Sequence, residues 1–133
     1  MSLYLLTVTL HLVAMVAWVG TMIAVPAVLA RAPADGGALA RALAGPFRLL
    51  ATPALLVTWG LGIANAVQGD WWTASWLQVK LVFVLALSAV HGIMAGQLRR
   101  AGRGEAPALL LRLHWVTLAL VTGAILMAQW KVD

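Results

Sequence analysis

WLQVKLVFVLALSAVHGIMAGQLRR, residues 76–100, is apolar enough and long enough to cross a bilayer, and that reading decides the fold. The same stretch carries Lys80 near its start, His91 near its end, and Arg99 and Arg100 where it leaves. An ionisable side chain inside a membrane span costs at least a few kcal/mol, so its presence there points to a function. Eleven residues separate Lys80 from His91. That is about three helical turns, which puts both on one face with Val84 and Leu87 between them.

Outward from this stretch, three more apolar runs approach the roughly 20 residues of a spanning helix. The predicted helices cover residues 3–30, 47–67, 75–98 and 108–130 of a single domain, 1–133. The expected fold is therefore all-α, an integral membrane bundle of four transmembrane helices that assembles as a homo-oligomer. Composition agrees: 63% of the residues are hydrophobic and 10% charged, where a soluble domain carries about 25% charged residues. The net charge of +5 falls in loops between apolar runs, so it reads as topology and affinity for anionic headgroups rather than nucleic-acid binding.

Arg31, Arg41 and Arg48 lie between helices 1 and 2, and Arg99, Arg100 and Arg103 between helices 3 and 4, followed by Arg112. The opposite loop, QGDWWTA, has no basic residue, and the C-terminal tail has only Lys131. The positive-inside rule then puts both arginine-rich loops in the cytoplasm and both termini outside, in a bacterial-type plasma (inner) membrane. Trp71, Trp72, Trp76 and Trp130 are expected to form an aromatic belt at the outer interface. The N-terminal MSLYLL lacks a basic leader region, so helix 1 is expected to be retained.

The chain has no cysteine, which removes disulfides, thiolate metal sites and cysteine nucleophiles. A rise of about 1.5 Å per residue places His11 roughly 12 Å and Lys80 roughly 8 Å below the outer boundary. His91 and His114 lie about 10 Å and 9 Å from the cytoplasmic one. Two levels result: His11 with Lys80 toward the outside, and His91 with His114 toward the inside. His11, Met15, Trp18 and Met22 share one face of helix 1. That stripe is either a packing seam, a lining for a flat aromatic ligand, or a soft His/Met route for copper. For each histidine the plain alternative is a hydrogen bond to a backbone carbonyl or to a hydroxyl such as Ser88 or Thr117. Lys80 has the option of snorkelling to headgroups.

Haem b fits these constraints: histidines on facing helices bind its iron, apolar side chains pack its ring, and basic groups meet its propionates. His11 is the first candidate for the iron, His91 and His114 the alternative pair, with Met15 and Trp18 against the ring. Copper, held by His11, Met15 and Met22, is the second fit. Hydrolytic chemistry is disfavoured, because no predicted span contains Asp or Glu.

LHLVAMVAWVGTMIAVP (10–26), TWGLGIA (58–64) and WLQVKLVFVLALSAVHG (76–92) together resemble the HemJ-type protoporphyrinogen oxidases. The first and third patterns are also similar to the larger CopD-like group of membrane proteins, a label that implies copper import or resistance. The HemJ resemblance implies a small membrane bundle that binds haem b and oxidises protoporphyrinogen IX to protoporphyrin IX in porphyrin biosynthesis. It implies catalytic roles for His11 and Lys80, and matches His91 to the histidine ending the third-helix pattern. After Pro26, VPAVLARA lacks the arginine and Tyr-His pair usual in that family, and LHWV stands where it tends to carry Asn-Glu-x-Pro.

Overall fold

A computed structural model of the chain describes residues 2–31, 35–70, 72–105 and 110–130. Among these the structure is helical, with no strand. Helix α1 spans Leu3–Arg31, α2 Ala38–Pro46, α3 Thr52–Gly69, α4 Ser75–Gly102 and α5 Leu110–Trp130. Between α2 and α3 the turn Phe47–Ala51 is π-helical, so Ala38–Gly69 runs as one continuous rod. Leu3–Arg31, Ala38–Gly69 and Ser75–Gly102 are each long and apolar enough to cross a membrane. Their outward faces carry large apolar side chains such as Leu49, Val16 and Val82. A soluble monomer rarely exposes such surface contiguously, and a lipid-facing bundle does so everywhere.

The second rod begins nine residues earlier than residue 47, where the apolar run starts. ALARALAG is built from strong helix formers, and Asp35 caps it. One carboxylate oxygen accepts from the Gly37 N–H at 3.0 Å and the other from the Leu39 N–H at 2.8 Å, which satisfies orphan donors at a helix N-terminus. The π-turn lies between Pro46 and Pro53. Neither proline has an N–H to give to the helix ladder, so the local register is free to widen there.

The four rods pack in a ring: α1 against α3 and α5, α5 against α4, and α2 against α4. At its α2 end the second rod is locked to α4. Arg41 donates to the Gly102 carbonyl at 2.6 Å, placing a cation at the C-terminal end of α4 where the helix dipole favours it. Toward the other end α3 leaves α4, and the two have little direct contact. The core is filled by Trp18, Met22, Leu87, Met94, Leu98 and Thr117, all essentially inaccessible.

The bend before α2 rests on Gly36 and Gly37, with φ of 70° and 93°. A Cβ on Gly37 would also strike the backbone carbonyls of Ala101 and Gly102, whereas one on Gly36 would meet nothing within 4 Å. Gly36→Ala should therefore cost only the left-handed backbone term, about 1–2 kcal/mol. Gly37→Ala should cost distinctly more, because backbone cannot rotate out of the way. Thermal unfolding of the two variants in detergent checks this order, and equal midpoints would refute it.

One expectation from sequence changes here. Trp76 does not sit at the surface with Trp72; it is 8% exposed and packs with Ala66 and Leu77. The indole faces inward because α4 turns that side toward α3 at its first turn. Trp71 and the side chain of Trp130 lie outside the described residues. Gly92 and Gly96 face away from the bundle: a Cβ on Gly92 would meet nothing, and one on Gly96 only the Arg99 guanidinium at 3.9 Å.

Candidate functional site

Where α3 and α4 diverge, a cavity of about 240 Å³ opens inside the ring. All four rods line it: α1 gives His11, Met15 and Trp18, α3 gives Thr58, Trp59 and Gly62, α4 gives Lys80 and Val84, and α5 gives Val121 and Ala124. Its walls are apolar apart from His11, Thr58, Lys80, Gln129 and the indole N–H groups, and no aspartate or glutamate lines it among the described residues. Trp59 donates from its indole to Ser88 Oγ at 2.9 Å, a strut across the gap between α3 and α4.

His11 is held by the backbone of α3. Its Nδ1 lies 2.9 Å from the Thr58 carbonyl oxygen. A carbonyl only accepts, so Nδ1 carries the proton and donates. The lone pair of the neutral ring is then on Nε2, which makes no hydrogen bond among the described residues. Gly62 makes this approach possible. A Cβ there would lie 3.1 Å from Cε1 of the imidazole, so even alanine would require the ring to give by a few tenths of an ångström and a larger side chain would crowd it further. An imidazole fixed by an Nδ1–H bond to a carbonyl, with Nε2 available, is how metal-ligating histidines are usually held.

Lys80 is half-buried on the opposite wall and close enough for its charge to act on His11. Histidine and lysine from rods 1 and 3 thus meet at one cavity, nearer the end of the bundle that holds the turn after α3.

His91 lies deeper and has a different environment. The Trp18 indole donates to His91 Nδ1 at 3.1 Å. An indole N–H only donates, so Nδ1 accepts and the proton sits on Nε2, which donates to Thr52 Oγ1 at 3.2 Å. Phe47 stacks on the ring with centroids 5.1 Å apart and planes inclined by 24°. Both nitrogens are engaged and the residue is 6% exposed. His114 does not join it. The His114 ring packs against Trp115 at 4.7 Å, its Nδ1 is buried without a partner, and no hydrogen bond or ring contact links the two imidazoles among the described residues. Neither histidine lines the cavity.

The helix 1 stripe divides. Met15 and Trp18 line the cavity, while Met22 is fully buried in the core below it. No three His, Cys, Asp or Glu side chains gather anywhere among the described residues.

The residues that sequence reasoning missed are Thr58, Gly62, Thr52 and Phe47. Ser88 and Thr117 were the hydroxyls named for the histidines; instead Ser88 accepts from Trp59, and Thr117 bonds its own helix at Leu113. Gly62 stands within TWGLGIA, yet its partner, an imidazole 51 positions away, cannot be read from that stretch.

The donor set suits haem b in part. His11 would offer one nitrogen to the iron, and the apolar walls would pack against a macrocycle. Met15 stands one turn from His11 on the same helix. The volume is below the roughly 300–1,000 Å³ of sites that enclose a drug-sized ligand whole. Comparison of the chain with known protein families, with curated proteins and with solved structures finds no match.

Proposed function

We propose that this chain is a membrane-embedded redox protein that holds haem b through His11 and acts, in the manner of the HemJ-type oxidases, on protoporphyrinogen IX. The observation that carries the reading is the His11 imidazole, its proton committed to the Thr58 carbonyl and its Nε2 available at an apolar cavity. Both termini lie outside, and the arginine-bearing ends of the rods lie in the cytoplasm. Bound at that nitrogen, haem supplies one-electron redox chemistry. The chain's own residues do the rest. Trp18, Trp59 and Val84 exclude water and fit a flat ring. Lys80 brings an amine to a cavity that no carboxylate lines among the described residues: as the ammonium it pairs with a propionate of the porphyrin, and as the neutral amine it takes up a proton from the reduced macrocycle.

The test is the visible spectrum of detergent-purified protein, oxidised and then reduced with dithionite, together with rescue of a strain lacking its own protoporphyrinogen oxidase. A stoichiometric b-type signal with rescue is the expected result. Colourless protein from haem-replete cells would refute it.

Lys80→Met should separate the two roles in the cavity. Haem content should remain near the parent value, because the iron ligand is intact. Oxidase turnover should fall more than about 100-fold, the usual worth of a positioned proton-transfer group. Full rescue by Lys80→Met would remove lysine from the chemistry.

A further inference from the structure

We propose that the arginine-bearing end of α4 holds the headgroup of an anionic phospholipid, such as phosphatidylglycerol. This surface is separate from the cavity, and the inference rests on the membrane reading given above.

Arg99, Arg100 and Arg103 surround an open concavity of about 560 Å³ whose other walls are Ile93, Gly96 and Gln97. The charges are unevenly committed. Arg103 meets Glu105 at 3.5 Å in an exposed pair, which binds weakly in water. Arg99 and Arg100 have no ion pair among the described residues. Arg41 is by contrast spent on the Gly102 and Gly36 carbonyls. The concavity has a floor because Gly96 has no side chain and the Arg99 guanidinium lies over it. Guanidinium groups bind phosphate oxygens in forked pairs, so two of them at one hollow suit a phosphodiester.

Position decides the source of that phosphate. Ala89, Gly92 and Gly96 follow the i, i+3, i+7 spacing of one helix face. Ala89, Gly92 and Ile93 on that face are exposed. A shallow channel beside Ile93 thus leads from the arginines toward the middle of the helix, where an acyl chain has room. Gly20 and Gly60 also face outward with nothing near them, but no arginine cluster ends their paths. Basic hollows at the cytoplasmic level of membrane helices are where anionic headgroups bind.

The experiment titrates fluorescent phosphatidylglycerol into the full chain in phosphatidylcholine nanodiscs. The double variant Arg99→Gln/Arg100→Gln should bind at least about tenfold more weakly than the parent, since two charge-assisted contacts are lost. Arg31→Gln/Arg48→Gln, with the same charge change, should stay within about twofold of the parent, being away from the hollow. Gly92→Leu fills the channel without an internal clash and should weaken binding too. Equal losses in both arginine pairs would overturn the proposal in favour of diffuse surface charge. Full competition by inorganic phosphate, with Gly92→Leu unchanged, would overturn it in favour of a free-anion site. A change in oligomer size with Gly92→Leu and no change in lipid binding would assign the face to a second copy. Alkaline carbonate extraction tests the membrane reading separately: release of the chain from membranes would refute that reading itself, whatever the titration gives.

Discussion

Replacing His11 by glycine should leave a folded, membrane-inserted protein with less than about a tenth of the parent's haem, since losing even a residue that orients a ligand costs 10–100-fold. Millimolar imidazole should restore the pigment. The fold should tolerate the change because the imidazole is only half-buried and its one hydrogen bond goes to a carbonyl that also serves the helix. Gly62→Val tests the same geometry from the other side. His11 is kept, but the new side chain occupies the space 3.1 Å from Cε1, so the ring loses the Thr58 carbonyl. A loss of about 10–100-fold in haem affinity is expected. Haemochrome assay of purified protein reads both variants. Parent-level haem in His11→Gly without imidazole would end the assignment of His11 as the ligand.

The sequence made the helical bundle legible because a long apolar helix leaves a long, dense signal. Residues 76–98 read as a helix, but the arginines expected in loops mark the ends of rods instead: Arg41 and Arg48 lie inside Ala38–Gly69, and Arg99 and Arg100 inside α4. The sequence also made the meeting of His11 and Lys80 foreseeable, since both lie near the same end of their rods. What it did not carry was the backbone's part in the site. Thr58 acts through its carbonyl, which every residue possesses, and Gly62 acts by lacking a side chain. Periodicity could not show the widening of the helix at Phe47–Ala51 either, although Pro46 and Pro53 mark its ends. Depth arithmetic paired His91 with His114 because it ignores rotation about the helix axis. Rotation instead gives His91 to Trp18 and leaves His114 on another side.

That rotation makes His91 a structural residue with a large expected effect. The π-turn is the reason it is gripped so fully. Phe47 and Thr52 are five residues apart, which in an α-helix sets them about 140° from each other. The wider turn brings i and i+5 onto one side, so Phe47 stacks on the ring while Thr52 accepts from Nε2. His91→Leu would leave the Trp18 indole N–H and the Thr52 hydroxyl facing an apolar group, each at about 1–3 kcal/mol. A loss of about 3 kcal/mol, or roughly 10 °C in unfolding midpoint, should follow. The double variant Trp18→Phe/His91→Leu should lose less than the sum of the single changes, because it removes the buried donor together with its acceptor. Haem per folded molecule should stay at the parent level in His91→Leu, in contrast to His11→Gly. If folded His91→Leu were instead colourless, Nδ1 would have to leave the Trp18 indole to bind iron, and the closed Trp18–His91–Thr52 chain would be only the cofactor-free state of a second ligand.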